Sequence, residues 1–401
     1  MKDKKGKTKR FFACKKSFTM VELLISVGIV IVMAGVAFIG FGNYKNRHSF
    51  DLDVENIVEA IRNTQNRSIN QEGGYGWSIK FTNSTSSIDY YQIFSGTSYA
   101  TSSVVVESGL NPVTDLVSPV DGSSKTISFI AISGKPILSD SLVVRMKGGS
   151  NTAVVSISSQ GKIGVSQDDS LVGYWPFDGG TSGIIADDTT VGLEDVSGNS
   201  NNGTANNGGG TTWAFGKLGG AISFNGASDY IDIGNKNIVD GLNKVTWSIW
   251  FSEPVINPSG VLWSSWSSSG NSQIILRKSN SASTDFYCFV ADSVSDAGNN
   301  YGLTNTAGYS AGSWNNIVIV FDGTQIGNAN KLKAYINGQD IGFSGFNGGI
   351  PASLTLPTTK YWAFGNWFIV GGYNFKGLID DVRIYNRALS PTEVKNLYDS
   401  Y

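Results

Sequence analysis

The loop Asp195-Val196-Ser197-Gly198-Asn199-Ser200-Asn201 sets oxygen-bearing side chains at the alternate positions 195, 197, 199 and 201. Hard cations use such groups: calcium takes roughly six to eight oxygens, and an alternating loop can supply several while its carbonyls supply others. Asp380 is a second candidate ligand, on an expected strand whose neighbours Ile379, Val382 and Ile384 are apolar, and Asp178 is a third. The competing reading is a turn whose Asn and Ser groups bond only their own backbone, because the glycine spacing is not that of an EF-hand. Asp381 is expected in solvent or paired with Arg383 or Arg387.

Aromatic side chains offer a different chemistry. Trp263, Trp362 and Trp367 carry flat apolar faces on which a sugar ring could stack. Most Trp residues of a sandwich fill its core, however, and residues three apart on a strand point to opposite faces, so at most one of Trp263 and Trp266 is expected to be exposed. Catalysis is not expected. The sole His, His48, excludes a Ser-His-Asp triad or a His-based zinc site in the C-terminal part. Glycoside hydrolysis needs two carboxylates across a bond, whereas Asp187-Asp188 and Asp380-Asp381 are adjacent and alternate apart.

One more acid stands where charge is costly. From Phe18 to Gly42, 25 residues, the only charged side chain is Glu22. At about 1.5 Å per residue that run extends roughly 38 Å, enough to cross a bilayer core. Lys15-Lys16-Ser17-Phe18-Thr19-Met20-Val21-Glu22 resembles the class III leader and first helix of type IV pilins and type II secretion pseudopilins. The resemblance implies cutting by a prepilin peptidase between Ser17 and Phe18 and N-methylation of Phe18. It also implies that Glu22 pairs with the amino group of a neighbouring pilin subunit in a filament, offsetting the burial of both charges. Ser17 stands where the family usually has Gly, and no Pro precedes Pro112. A plain signal anchor with Glu22 near interfacial water is the alternative.

Residues 1–17 hold seven Lys, one Arg and one Asp, net +7, an end that the positive-inside rule keeps in the cytoplasm. Without them the whole-chain charge of −2 becomes −9, which argues against nucleic acid as a partner. Cys14 would leave with the leader and Cys288 would remain alone, so no intramolecular disulfide is expected.

Composition divides the rest. Phe50, Val54, Ile57, Val58 and Ile61 keep a helical period, so a single helix is expected over 18–70, ended by Gly73-Gly74. Strands are expected at 77–81, 88–94, 127–130, 141–146, 152–158 and 162–165, giving an α+β head over 43–165. A short acidic linker covers 166–170. Beyond it lie nine of the ten Trp, which marks a change of domain. Strands expected at 172–177, 221–224, 230–233, 245–251, 285–291, 315–321, 331–336, 367–371 and 378–385 imply a β-sandwich. Ser390-Pro391-Thr392-Glu393 is a capping box that starts a short helix ending near Tyr398.

The phrases Ile127-Ser128-Phe129 with Ser133-Gly134-Lys135-Pro136, and Val154-Val155-Ser156-Ile157-Ser158 with Gly161-Lys162-Ile163, look like minor pseudopilins of the H type. Gly173-Tyr174-Trp175-Pro176-Phe177-Asp178, Asp195-Val196-Ser197-Gly198-Asn199, Lys333-Ala334-Tyr335-Ile336-Asn337-Gly338 and Ile379-Asp380-Asp381-Val382-Arg383-Ile384-Tyr385 resemble a laminin G-like, concanavalin A-type jelly roll. That resemblance implies two stacked antiparallel sheets, with Asp380 approaching the Asp195 loop, and in many members a calcium site and binding of glycans or proteins.

The expected class is multidomain: a long transmembrane pilin helix with an α+β head (leader 1–17, membrane part 18–42, head 43–165), then an all-β concanavalin A-like jelly roll over 171–401. The expected role is a minor pilin-like subunit, held in the inner membrane with its C-terminus outside and displayed at the cell surface for adhesion. Its expected partners are other pilin subunits, prepilin peptidase, the membrane, and glycans or surface proteins. The alternatives are a structural minor pseudopilin, an uncleaved anchored binding protein and a surface glycosidase.

Overall fold

The computed structural model describes residues 20–401 apart from 100–102, 120, 139, 148–150, 159, 168–169, 187–188, 198, 207–209, 257, 267–273, 280–283, 291–299, 357–359 and 368–372, and apart from the side chains of 21–44, 166–167 and 266. Ser17, Phe18 and the side chain of Glu22 lie outside the described residues, as do Asp187 and Asp188. The chain divides into two compact units, Met1–His48 and Ser49–Tyr401.

A helix runs Met20–Ile69 and is followed by a 3-10 turn at Glu72–Gly74, where Gly73 takes a left-handed φ of 70°. Its described part is amphipathic because Phe50, Val54, Ile57 and Ile61 recur on one face and are buried, while Glu55, Glu59 and Arg62 are exposed. No helix among the described residues is long and apolar enough to cross a membrane. The expected class, led by a transmembrane pilin helix, is corrected accordingly: the chain is mostly β, with three α-helices among the described residues. The physical reason lies in the described helix, whose apolar stripe meets sheet side chains and whose other faces carry charge.

Among the described residues, four antiparallel sheets build the unit Ser49–Tyr401. The first has the order Val104–Gly109, Tyr90–Ser95, Trp77–Thr82, Ser124–Phe129, and the second Thr114–Ser118, Asp140–Met146, Thr152–Ile157, Ile163–Gln167. Ile79, Phe81, Phe129, Leu142 and Val155 from these two sheets close one core with Phe50 and Ile57 of the helix.

The other two sheets stack as a sandwich. A nine-stranded sheet has at its centre Gly220–Asn225, Lys376–Tyr385, Lys244–Ser252, Asn315–Asp322 and Leu332–Ile336, with Leu171–Trp175 also paired to Lys376–Tyr385. The eight-stranded sheet runs Thr204–Asn206, Tyr230–Gly234, Tyr361–Phe364, Val261–Trp266, Ile274–Lys278, Phe286–Phe289, Tyr301–Thr304, Phe343–Asn347. Trp247 of the first meets Trp263 of the second edge-on, ring centres 5.0 Å apart, and Trp362 lies 5.7 Å from Trp263. These rings sit in a continuous apolar layer with Ile249, Leu276 and Ile319.

The outer face of the nine-stranded sheet is covered. Tyr174, Val318, Val320, Tyr335 and Tyr385 form one buried cluster with Val394 and Leu397 of the C-terminal helix Pro391–Asp399 and with Val143 and Val154 of the second small sheet. That helix starts as its sequence prescribes: the Ser390 hydroxyl accepts from the Glu393 N–H, and the Glu393 carboxylate reaches back. Ser156 Oγ donates to the Ser400 carbonyl at 2.9 Å, and Trp250 stacks on Tyr398 at 5.6 Å. The short acidic segment at 166–170 therefore joins two parts that share a core.

Leu397→Ala should lower stability by about 2–4 kcal/mol. Because the cluster is common to both parts, hydrogen exchange should quicken in the strand Thr152–Ile157 as well as in the sandwich; a loss confined to residues 171–401 would contradict a shared core.

Candidate functional site

The four candidate cation ligands fall in three different settings. Asp195 is buried, and both its oxygens are taken by N–H donors: Oδ1 accepts from the backbone of Tyr174 at 2.9 Å and Ser197 at 3.0 Å, and Oδ2 from Asn201 N at 3.0 Å and Asn201 Nδ2 at 2.9 Å. Asn199 is exposed and donates to Ser197 Oγ. Asp380, fully buried, accepts from the N–H groups of Lys217 at 2.7 Å and Leu218 at 3.1 Å, so its partners lie on the 216–220 turn rather than the Asp195 loop. Asp178 accepts from Gly220 N at 2.9 Å and pairs with Lys125 at 3.2 Å.

A carboxylate surrounded by N–H dipoles presents the wrong field to a cation, so the Asp195 loop fits a turn-organising hub and does not fit calcium. Among the described residues no group of three or more His, Cys, Asp or Glu is placed to hold a metal ion.

Buried charge concentrates where the small sheets meet the sandwich. Lys125 is shared by Asp140 at 2.9 Å and Asp178 at 3.2 Å. Burial opposes its charge, but the two carboxylates outweigh that and raise its pKa. Burial pushes Asp178 up to about 6, against the opposing pull of Lys125 and with Asp140 adding repulsion. Asp380 is raised well above the usual carboxylate range by burial, then by Asp381 and Asp178, and its Oδ1 has no hydrogen-bond partner among the described residues. A register shift between Ser248 and Trp250 places Asp381, φ 46°, in a bulge. Asp381 is accordingly buried, 2.7 Å from Arg383 and within reach of the Tyr174 hydroxyl at 3.0 Å, rather than in solvent. Arg387 pairs with Glu393 instead.

A second buried set, Lys278, Glu253 and Tyr309, is closed from solvent: Lys278 donates to Glu253 at 2.8 Å and to the Tyr309 hydroxyl, with both charged side chains at 0 % exposure. It offers no access to a ligand.

The aromatic candidates separate cleanly. Trp263 and Trp362 are each 2 % exposed and belong to the core, Trp362 donating its Nε1–H to the Lys236 carbonyl. They are corrected from ligand-stacking candidates to core residues. Trp367 is half-buried at the surface, where it packs on Tyr373 with ring centres 5.2 Å apart.

Around that pair lies a group invisible to a search for Trp alone. Alternation along Ile274–Lys278 and Phe286–Phe289 turns Leu276, Phe286 and Cys288 inward and leaves Ile275, Arg277, Tyr287 and Phe289 on the outer face. Cross-strand register sets Arg277 opposite Tyr287, Ile275 opposite Phe289, and Phe289 opposite Tyr301. The rings of Tyr287 and Tyr301 meet edge-on at 5.2 Å. The Arg277 guanidinium lies 4.4 Å from the Tyr287 ring centre and 5.1 Å from that of Tyr373. The outer face of the eight-stranded sheet thus carries Tyr287, Tyr301, Trp367 and Tyr373, all partly exposed, on a buried floor of Val261 and Ile275.

Residues 225–395 match the laminin G-like family model described as the concanavalin A-like lectin/glucanases superfamily. No curated protein matches the chain. Among solved structures, domain 4 of AbnA, a GH43 extracellular arabinanase from Geobacillus stearothermophilus, solved in complex with arabinotriose, is 21 % identical, with a TM-score of 0.38 over 57 % of this chain and 98 % of that one. The binding domain of Paraclostridial Mosquitocidal Protein 1 is 18 % identical, TM-score 0.37, over 58 % of this chain and 52 % of that one. The receptor binding domain of a botulinum neurotoxin C/D mosaic serotype is 17 % identical, TM-score 0.39, over 58 % and 51 %. The chain spans about half the length of the two toxin structures.

Two outcomes are expected of the buried acids. Burial raises the Asp178 carboxyl to about 6 in the folded chain, against an ordinary value of 3.8. The folded state then binds more protons than the unfolded one between these limits, so stability is greatest below about pH 4 with respect to this group and falls as pH rises to about 6. Asp178→Asn should flatten that slope in denaturant titrations at stepped pH; an unchanged slope would reject the assignment. Asp195→Ala should cost about 1–3 kcal/mol by orphaning buried N–H donors, and calcium or a chelator should leave the melting temperature of the parent protein where it was.

Proposed function

We propose that the two-sheet sandwich, in which residues 225–395 match the concanavalin A-like lectin/glucanases family model, is a carbohydrate-binding module and that its ligand lies on the outer face of the eight-stranded sheet. The observation that carries the reading is the half-exposed set Tyr287, Tyr301, Trp367 and Tyr373 around Arg277, on the side of the sheet away from the core. Aromatic rings held by neighbours lose little freedom on binding and stack against the C–H face of a sugar, while their polar ends bond its hydroxyls. The lectin and glucanase character of the matched family agrees with this.

Binding rather than turnover is the proposed activity. Asp380 and Asp381, the adjacent acids of the sandwich, are buried and committed to the 216–220 turn and to Arg383 and Tyr174. The finer reading is that the module is displayed outside the cell as a surface subunit processed after Ser17. It rests on the spacing of Ser17, Phe18 and Glu22 alone. Mass spectrometry of the mature amino terminus tests it: N-methylated Phe18 supports the reading, and an intact leader rejects it.

Trp367→Ala and Tyr373→Ala should each weaken glycan binding by about tenfold or more, with little loss of stability. Trp263→Ala, in contrast, should destabilise the fold by about 3–5 kcal/mol. Calorimetric titration with thermal melts separates the two effects; unchanged affinity in both surface variants would reject this face as the site.

A further inference from the structure

We infer that the groove between residues 54–62 of the long helix and the strand Ile163–Gln167 receives an extended basic peptide segment of a partner protein, added to the free edge of that strand. The strand pairs with Thr152–Ile157 on one side and, among the described residues, ends its sheet on the other. Open sheet edges are ordinarily blunted by charge, proline, a bulge or brevity. At the opposite end of the same sheet, Thr114–Ser118 carries Asp115 and a register shift and runs into Pro119. Val104–Gly109, an edge of the other small sheet, carries Glu107 and a shift. Ile163-Gly164-Val165-Ser166-Gln167 holds neither charge nor proline, and its register with Thr152–Ile157 is unbroken.

A groove of about 650 Å³ lies beside Val165, walled on its other side by Val54, Glu55, Val58, Glu59 and Arg62 of the helix. Val54 and Val58 are buried while Val165 is 44 % exposed, so the floor is apolar and open along the strand. Gln65 Nε2 donates to the Gly161 carbonyl at 2.8 Å, and Ile163 packs on the core that the helix closes. Helix and strand therefore run side by side at a fixed spacing, which lowers the cost of ordering on binding. Glu55 and Glu59 are exposed, one turn apart, and make no ion pair among the described residues. Four residues along a helix advance about 6 Å, and alternate side chains of an extended strand recur every ~6.7 Å. Lys or Arg at alternate positions of an added strand fits both walls: the apolar stem covers Val58 and Val165, and the charged head reaches Glu55 or Glu59. Arg62 limits the acidic row at one end.

Two capped seven-residue peptides, one alternating lysine with threonine and the other glutamate with threonine, are titrated into the full chain, with hydrogen exchange locating the contact. The lysine peptide should bind and slow exchange in Ile163–Gln167, and rising salt should weaken it; the glutamate peptide should not bind. Glu55→Gln combined with Glu59→Gln, both at exposed positions, should weaken the complex about fivefold. N-methylation of one alternate set of peptide amides should abolish binding by removing the ladder donors, and of the other set should not. Equal binding of the two peptides, indifference to either N-methylation, protection away from Ile163–Gln167, or no binding of the lysine peptide up to about 1 mM overturns the inference. Concentration-dependent dimerisation of the chain with Ile163–Gln167 protected would seat a second copy on this edge and overturn it as well.

Discussion

Strand alternation under a fixed core register is the constraint on which the arrangement depends. Trp263, Leu276 and Cys288 of the eight-stranded sheet are held inward against Trp247 and Ile319 of its partner. Once they are fixed, Arg277, Tyr287 and Phe289 have no choice but the opposite face. The same logic operates on the nine-stranded sheet, but there Tyr174, Val318 and Tyr335 are covered by the C-terminal helix and by Val143 and Val154. One outer face is thereby used to join the two parts of the unit, and the other keeps its aromatic groups partly open.

Charge burial marks the joined side. Lys125 divides its attraction between Asp140 and Asp178, and Asp381 and Asp178 add to the burial that raises the proton affinity of Asp380. Buried ion pairs contribute little net stability when compared with apolar packing, but removing one partner leaves an uncompensated charge. The bulge at Asp381 belongs to this design, since it brings the carboxylate to Arg383 and Tyr174 without disturbing the inward register of Ile379, Val382 and Ile384. Tight packing at the 216–220 turn is part of it too. A Cβ on Gly219, at φ 52°, would stand 2.1 Å from Asp178 Oδ1, so this position tolerates no side chain.

Local rules carry some of these features and not others. The buried stripe Phe50, Val54, Ile57, Val58 and Ile61 and the capping box at Ser390 are both legible in sequence, because each depends on residues within a turn or two of one another. The strand expected at 245–251 is found as Lys244–Ser252 for a similar reason, a run of apolar and β-branched residues interrupted only by Ser248. The short strands Val261–Trp266, Ile274–Lys278 and Tyr361–Phe364 are not read from sequence, and they decide which Trp residues are inside. Trp263, Trp362 and Trp367 look equivalent until cross-strand pairing sets Trp263 beside Phe364 and leaves Trp367 past the end of its strand. Arg277 is missed because a single Arg in an apolar strand carries no local signal; its meaning comes from Tyr287 across the ladder and Tyr373 from a distant loop. The Asp195 loop stays open at the level of sequence, as alternating oxygens serve a turn as readily as a cation. The membrane-crossing expectation fails among the described residues, where no helix is long and apolar enough to cross a membrane and the apolar residues from Phe50 on form a one-sided stripe buried against sheet side chains.

Hydrogen–deuterium exchange of the full chain with and without its strongest-binding glycan tests the location of the site most directly. Slowed exchange in Ile274–Lys278, Phe286–Phe289 and Tyr301–Thr304 and in the segment around Trp367 and Tyr373 is the expected result. Protection confined to the Asp195 loop, or to the face covered by the C-terminal helix, would contradict it.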